Sequence, residues 1–518
     1  MTDDERRRRR PALAALLSFL FPGLGQLYRG DRMGAAALGV PVLLLVIAAA
    51  VILRLSEAPL GNDLLSPRFL QAMLIVDIAL LAWRLLAIAH AGLAPTPALA
   101  SADAGVALGG NRAPRIQATR RSPWRRTAGG PSLVTVATLL LLGAATLGMH
   151  AYVAVVVGRL EHALDQVFGE TVPPPGAGEV LAGGSDEAPP PEQPEYHWDG
   201  TEPVNFLLLG VDAGPGREVA LTDTILAVSI DPVDGSAVMI SIPRDTVLMP
   251  LPDASLYPDA RYSDKINGLL THAASDVEAW CPDLPSSAAR WCGLRTLRES
   301  VSLYLGIPIH YHAVVELRQF AELIDALGGV RLCLEGTLVD PEYSGPTWAP
   351  RVGIELPAGC RQYNGPETLA FARIRKGWME MPDGTRQLQD DFLRAERQQE
   401  VLLALRREFA QADLLLDLPD ILDAVAATVR SDFPRARAGD LASLLPLITG
   451  PDIERTVLGL PRYVDLPADP ENNYVLTPRR EAIRAEMNRL FGDRGPLQGW
   501  YVGSEAEAPT PAPGDGQG

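Results

Sequence analysis

Residues 204–212 read VNFLLLGVD, residues 222–224 read TDT, and residues 241–246 read SIPRDT. Short apolar runs bounded by Gly, Asp and Pro predict buried strands at 204–211, 224–230 and 236–242. Asp212, Asp223, Arg244 and Asp245 then fall at strand ends and loops, a place where one metal ion and one phosphate can be held together. Further apolar runs at 310–315 and 329–334 predict two more strands. Amphipathic stretches at 293–305, 317–327, 366–372, 391–410 and 416–429 predict helices, and the alternation indicates an α/β domain over 203–500. Gly328-Gly329 stops one helix just before a strand.

The chain has 518 residues, too many for one core, and a formal charge of -17 that is unevenly spread. Residues 1–158 hold sixteen Arg against eight Asp or Glu, leaving a balance of -25 for the remainder. The positive charge lies beside apolar segments and the larger part is acidic, which argues against a nucleic-acid partner. Only Lys265 and Lys376 interrupt an otherwise all-Arg basic set of 46 residues. Both fall in segments singled out below, which suggests that a compact ammonium is kept there for a purpose.

Segments 34–53 and 132–157 are uncharged and long enough to cross a hydrocarbon layer of about 30 Å. Segment 69–93 is equally long but carries Asp77 and Arg84, which must face other helices, water or headgroups. They lie seven residues apart, about two helical turns, too far for a direct pair. Segment 11–28 is short and broken by Pro22-Gly23, so a re-entrant or interfacial hairpin is expected. Arg6 to Arg10 and the arginines at 112, 115, 120, 121, 125 and 126 place both clusters in the cytoplasm by the positive-inside rule. Three crossings put the acidic domain outside, after a membrane region over 1–158 and a Pro/Gly-rich linker over 159–202; a disordered tail is expected at 501–518. No cleavage-like small-residue site follows the arginine tract, so the first segment is expected to be retained. Cys281, Cys292, Cys333 and Cys360 all follow the last span. Four cysteines permit three connectivities, and nearest-neighbour disulfides in an oxidising compartment are the expected set; buried thiols are the alternative, and no CxxC spacing supports zinc.

Three more segments bear on chemistry. DKIN at 264–267 sets Lys265 beside an amide, and FARIRK at 371–376 sends Arg373 and Arg375 to one side if extended. DFLRAERQQ at 391–399 puts Arg394, Arg397 and Gln398 on one helical face. Converging arginines repel one another unless a dense anion sits between them, and Arg forks match phosphate oxygens. Two Asp nearby suit Mg²⁺, with Mn²⁺ as the alternative, and a pyrophosphate is the natural guest. Each feature also has a plain structural reading as turn, helix cap or surface ion pair. His272, His310 and His312 are expected to be structural, and Gly210 and Gly214 form no dinucleotide fingerprint.

In order, LLLGVD, TDT, SIPRDT, DKIN, GIPIHYHAVVEL, IDALGGV, ETLAFARIR and DFLRAERQQ resemble the LytR-CpsA-Psr family of cell-wall glycopolymer ligases over residues 203–430. The resemblance implies an α/β/α domain with a central mixed sheet outside the membrane, preceded by the helical membrane region. It implies binding of a polyprenyl-pyrophosphate-linked glycan and transfer of the glycan phosphate to peptidoglycan, at the 6-hydroxyl of N-acetylmuramic acid. Asp212 and Asp223 would hold the metal, and Arg244, Lys265, Arg373, Arg375, Arg394 and Gln398 the pyrophosphate. Arg244, Asp245 and Asp212 would be catalytic, with Asp245 and Asp212 as candidate proton acceptors. Apolar residues of 297–327 would line a pocket for the lipid. Leu221 stands where the family usually carries Arg, residues 247–263 are unusually rich in Pro, and the extra spans exceed the usual single anchor. Two alternatives use the same site: a hydrolase of the lipid-linked pyrophosphate, and a non-catalytic membrane protein that binds or senses a lipid-linked glycan.

Overall fold

The computed structural model describes residues 10–55, 61–93, 131–169, 202–211, 221–233, 235–253, 256–257, 260–345, 353–411, 414–444, 453–471 and 473–492. Asp212, Arg217, Arg6 to Arg9, the arginines of 112–126, most of the expected linker and the tail lie outside the described residues. Six helices come first: α1 (Pro11–Leu20), α2 (Leu24–Arg29), α3 (Arg32–Leu55), α4 (Gly61–Leu64), α5 (Pro67–Leu93) and α6 (Leu133–Val167). The chain divides into two compact units, residues 1–58 with 67–158, and residues 59–66 with 159–518.

In the first unit, α3, α5 and α6 are long and apolar enough to cross a membrane. Helices α1 and α2 form the expected broken hairpin, turning at Gly23 with φ of 99°. Ala15 of α1 packs with Ile88 and Leu142. Several buried polar groups in this unit pair with one another or with backbone carbonyls, as an apolar surround favours. Ser18 Oγ donates to Gln26 Oε1 at 2.9 Å, and Gln26 Nε2 to the Ala87 carbonyl at 2.9 Å. Asp77 meets His150 at 2.7 Å and Arg84 donates to the Phe19 carbonyl at 3.4 Å, so the two charges face neighbouring helices rather than each other.

The second unit is built on strands β1 (Val204–Val211), β2 (Thr222–Ile230), β3 (Ala237–Ser241), β4 (Tyr311–Glu316), β5 (Val330–Leu334), β6 (Thr337–Asp340), β7 (Ile354–Leu356), β8 (Gly359–Tyr363), β9 (Trp378–Glu380), β10 (Arg386–Leu388), β11 (Val429–Ser431) and β12 (Ile453–Val457). Its helices are α7 (Leu269–Ser275), α8 (Ala289–Leu305), α9 (Leu317–Ala326), α10 (Gly365–Arg373), α11 (Asp391–Gln411), α12 (Leu414–Thr428), α13 (Ala438–Leu444) and α14 (Arg480–Phe491). A six-stranded sheet runs β11-β4-β1-β2-β3-β12. It is mixed, with β1 parallel to β4 and antiparallel to β2, and β3 parallel to β12. A second sheet runs β10-β9-β6-β7, and β5 and β8 form a ribbon beside it.

Strands covered on both faces read as continuous apolar runs, which is what β1 and β2 show. On one face Leu207, Leu209, Ile225 and Ile240 pack with Leu294, Leu297, Val301 and Met487 of α8 and α14. The opposite face, carrying Leu208, Leu226 and Val315, looks toward α9, α10 and α11, and there the packing leaves a cavity. The three-layer α/β/α arrangement therefore matches the expected class.

One boundary differs from expectation. The expected linker begins at residue 159, but α6 continues to Val167. Ala163, Leu164 and Val167 are buried at helical spacing, so an apolar stripe holds the helix together. Arg159 also pairs with Asp423 at 2.6 Å. Residues 61–66 pack into this unit through a reciprocal pair: Asn62 Nδ2 donates to Asp440 Oδ1 at 2.6 Å, and Asp440 N donates to Asn62 Oδ1 at 2.9 Å.

The three histidines have structural roles. His272 meets Tyr262 at 3.3 Å, His310 Nδ1 accepts from Asn205 N at 3.1 Å, and His312 meets Asp432 at 2.9 Å. Burial, aided by Arg298, pulls His310 down to about 4. The disulfides are Cys281–Cys292 and Cys333–Cys360, the nearest-neighbour set, and the second joins facing residues of β5 and β8. Cross-linking a loop of 27 residues removes roughly 3 kcal/mol of unfolded-state entropy. The double variant Cys333→Ala/Cys360→Ala should lose about that much stability, read as a lower urea midpoint of the Trp fluorescence transition with a steeper slope, because the released unfolded chain exposes more surface.

Candidate functional site

The site is assembled by backbone contacts among segments distant in sequence. Pro243 to Thr246 makes a tight turn closed by Thr246 N donating to the Pro243 carbonyl at 3.1 Å. The DKIN segment docks onto it: Ile266 N donates to the Thr246 carbonyl at 2.8 Å and Asn267 N to the Arg244 carbonyl at 3.3 Å. On its other side Leu476 N donates to the Asp245 carbonyl at 3.0 Å. Asn364 caps α10 in a reciprocal capping box with Glu367, and the helix ends at Arg373. Beyond it the chain is extended, so Ile374 is buried while Arg373 and Arg375 flank it and line one cavity.

Arg244 is the centre of the charged cluster. Its Nη1 donates to Asp223 Oδ1 at 2.6 Å, and its Nε lies 3.6 Å from Asp245 and 3.8 Å from Asp391. Asp245 also accepts from Lys265 Nζ at 2.6 Å. Asp391 meets Arg394 at 2.9 Å and Arg375 at 3.9 Å. Burial alone would lower the Arg244 pKa, but Asp223, Asp391 and Asp245 outweigh it and hold the guanidinium above its ordinary value. Arg394 goes the other way, lowered by burial and by Arg244 despite Asp391. The expected repulsion among cations is thus partly offset by carboxylates within the cluster. Among the described residues, Arg244, Lys265, Arg373, Arg375 and Arg394 still exceed Asp223, Asp245 and Asp391 by two charges.

Asp223, Arg244, Arg373, Arg375, Arg394 and Gln398 share the wall of a cavity of about 170 Å³. Apart from Thr224, the rest of its lining is apolar, including Leu208, Leu226, Leu317, Phe320, Leu369 and Leu402. Of residues 297–327, Val315, Leu317 and Phe320 reach the cavity, whereas Leu297, Val301 and Leu305 belong to the core on the other face of the sheet. Lys265 and Asp245 stand at the cluster but do not line the cavity.

Arg397 departs from the expected common face. It turns away from Arg394 and donates to the Phe371 and Ile374 carbonyls and to Gln389. Three acceptors compensate a guanidinium that burial lowers to about 10, and the bonds fix the end of α10 on which Arg373 and Arg375 depend. Asp391 escaped the sequence reading, although its place opening an Arg-rich helix was a signal. Leu221, at the edge of the site, is 41% exposed.

Asp212, the other expected metal ligand, lies outside the described residues. Asp223 uses one carboxylate oxygen for Arg244 and presents its side chain to the cavity. Among the described residues no cluster of three or more His, Cys, Asp or Glu could cage a metal. Among the described residues Asp223 is the one expected metal ligand at the cavity, a hard oxygen donor of the type Mg²⁺ takes.

The model of the LytR_cpsA_psr family matches residues 184–478. The chain belongs to this family. Among its relatives, a polyisoprenyl-teichoic acid–peptidoglycan teichoic acid transferase TagU of Bacillus mycoides (strain KBAB4) is 27% identical over 241 residues, 46% of this chain and 64% of that protein. The TagU of Halalkalibacterium halodurans is 27% identical over 231 residues, 45% of this chain and 61% of that one. The chain thus spans less than two thirds of either relative's length. A crystal structure of B. subtilis TagV is 22% identical, with a TM-score of 0.40, covering 55% of this chain and 94% of that one.

Asp391 is the shared counter-ion of three arginines in this LytR_cpsA_psr site. Removing one partner of a buried ion pair leaves an uncompensated charge, so Asp391→Ala should cost about 3 kcal/mol of stability. Inorganic pyrophosphate should restore much of this in a thermal-shift assay, because its oxygens replace the lost carboxylate; no loss in the variant, or no restoration, would contradict the assigned role.

Proposed function

We propose that the chain is a membrane-anchored phosphotransferase that moves a glycopolymer phosphate from a polyprenyl-pyrophosphate donor to peptidoglycan, at the 6-hydroxyl of N-acetylmuramic acid. One observation carries this reading: four arginines, Arg244, Arg373, Arg375 and Arg394, line one end of a largely apolar cavity beside the single carboxylate of Asp223. A lipid diphosphate is the ligand that presents both chemistries at one junction. The family membership and the TagU relatives point the same way.

In the reaction, the acceptor hydroxyl oxygen attacks the phosphorus that bears the glycan. The bond from that phosphorus to the bridging oxygen breaks, and polyprenyl phosphate leaves with the bond electrons. Arg244, Arg373, Arg375 and Arg394 offset charge on the diphosphate oxygens, and their fixed positions make this electrostatic help available without reorganisation. Asp245 holds Lys265 and faces Arg244, so it positions the cations, and we assign the hydroxyl proton to the other candidate carboxylate, Asp212. Asp223 with Asp212 would hold Mg²⁺, which when bound supplies further positive charge to the diphosphate.

The cavity is smaller than the roughly 300–1,000 Å³ of a typical ligand site. A polyprenyl tail therefore enters only as the walls made by α9, α10 and α11 part. For topology, α3 and α5 would be consecutive spans, and the turn between them, residues 59–66, belongs to the same unit as the globular domain. Both then lie on one side of the membrane, the side opposite the two arginine clusters, and the two disulfides favour the exterior.

Arg244→Ala should lower transfer at least a hundredfold with lipid-diphosphate donor, Mg²⁺ and peptidoglycan, read as loss of phosphodiester conjugate, since charge on the transferring phosphate loses its central donor. Polyprenyl phosphate released at the same rate without acceptor would instead favour a hydrolase. For topology, the exposed position of Ser443→Cys should react with a membrane-impermeant maleimide in intact cells; labelling only after lysis would place the domain inside.

A further inference from the structure

Lys376, one of the two lysines of the chain, takes no part in the arginine cluster described above. It lines a separate cavity of about 580 Å³ with Asp340, Pro341, Glu342, Tyr343, Ser344, Arg373 and Arg375. Arg373 and Arg375 therefore belong to two cavities at once, one apolar and one polar.

The local structure explains how this second cavity forms. Asp340 ends β6 and is buried, and its Oδ1 accepts from Glu342 N at 3.0 Å, which bends residues 340–344 into a turn. Strand β9 pairs with β6 so that Trp378 faces Val339. Gly377 has φ of 90°, and a Cβ there would lie 2.1 Å from the Val339 carbonyl oxygen. Only glycine allows the chain to pass this closely, and the passage sets Lys376 beside Asp340. Burial raises the Asp340 pKa, with Lys376 among the groups opposing that shift.

Given the donor reading above, on which this inference rests, a diphosphate held by Arg373 and Arg375 has two ester arms. The lipid arm suits the apolar cavity. The other arm leads to the polar one, whose volume falls within the range of about 300–1,000 Å³ that suits a small ligand. We propose that the cavity around Lys376, Asp340 and Glu342 holds the sugar linked directly to the donor diphosphate, and that it selects an uncharged hexose or N-acetylhexosamine over a uronic acid.

The selectivity follows from charge. With Arg373 and Arg375 engaged by the diphosphate, Asp340 and Glu342 outnumber Lys376, and a sugar carboxylate would meet net repulsion. Sugar hydroxyls, in contrast, can donate to Glu342 and accept from Lys376, and Tyr343 offers a ring face. Hydrogen bonds to charged groups of this kind correspond to about a tenfold gain in affinity.

The test uses the full chain in nanodiscs and three probes: polyprenyl diphosphate, polyprenyl diphosphate N-acetylglucosamine, and the corresponding glucuronate lipid. Wild type should bind the N-acetylglucosamine lipid about tenfold tighter than bare polyprenyl diphosphate, and the glucuronate lipid no better than the bare one. Glu342→Ala and Lys376→Ala should each erase that advantage while leaving affinity for bare polyprenyl diphosphate within about twofold. Glu342→Lys should turn the preference toward the glucuronate lipid. Equal binding of all three lipids by wild type, or a parallel loss for bare and glycosylated lipids in the variants, overturns the subsite. Failure of wild type to bind any of the three removes the donor reading itself.

Discussion

The site depends on Arg244 being held among three carboxylates. A guanidinium only 14% exposed is costly to desolvate, and Asp223, Asp245 and Asp391 together offset that cost. Each carboxylate comes from a different segment, so the ion pairs also bring the start of β2, the Pro243–Thr246 turn and the start of α11 together. The cations exceed the anions in this network, and the excess is what a diphosphate would neutralise. On the proposed function, ligand affinity and fold stability would draw on the same charges.

The mixed sheet supplies the other half of the site. Period-2 alternation along β1 and β2 sends Leu207, Leu209 and Ile225 into a core sealed by α8 and α14. The intervening residues face α9, α10 and α11, where Gly210 and Thr224 leave room that larger side chains would fill. A Cβ on Gly210 would stand 2.8 Å from Thr224 Oγ1, so the spacing of β1 and β2 at the cavity requires glycine there. The arginines then close one end of an apolar space. This placement of charge against grease distinguishes the cleft from an ordinary surface ion-pair network.

The residues before 184 lie outside the matched family region. They bring three long apolar helices, a helical hairpin and an Asp77–His150 pair. Residues 61–66 and the end of α6 are built into the globular unit through Asn62, Asp440, Arg159 and Asp423.

Much of this was legible in the residues themselves. Local periodicity determined the strands from 204 to 242, the helices flanking Arg373 and Arg394, and the three long apolar helices, because each is set by neighbours a few positions away. Segment order pointed to the family, and the number and spacing of cysteines favoured the observed disulfides. What needed tertiary structure was every relation across long sequence distance. Arg394 and Arg397 look equivalent in sequence, yet one faces the cavity and the other binds the carbonyls that end α10, because only the packing of α10 on α11 offers those acceptors. Asp391 reads as a helix-start residue until Arg244, 147 positions earlier, is seen beside it. The sharing of Arg373 and Arg375 between an apolar and a polar cavity is likewise a property of space, set by the pairing of β6 with β9, which a linear pattern does not encode.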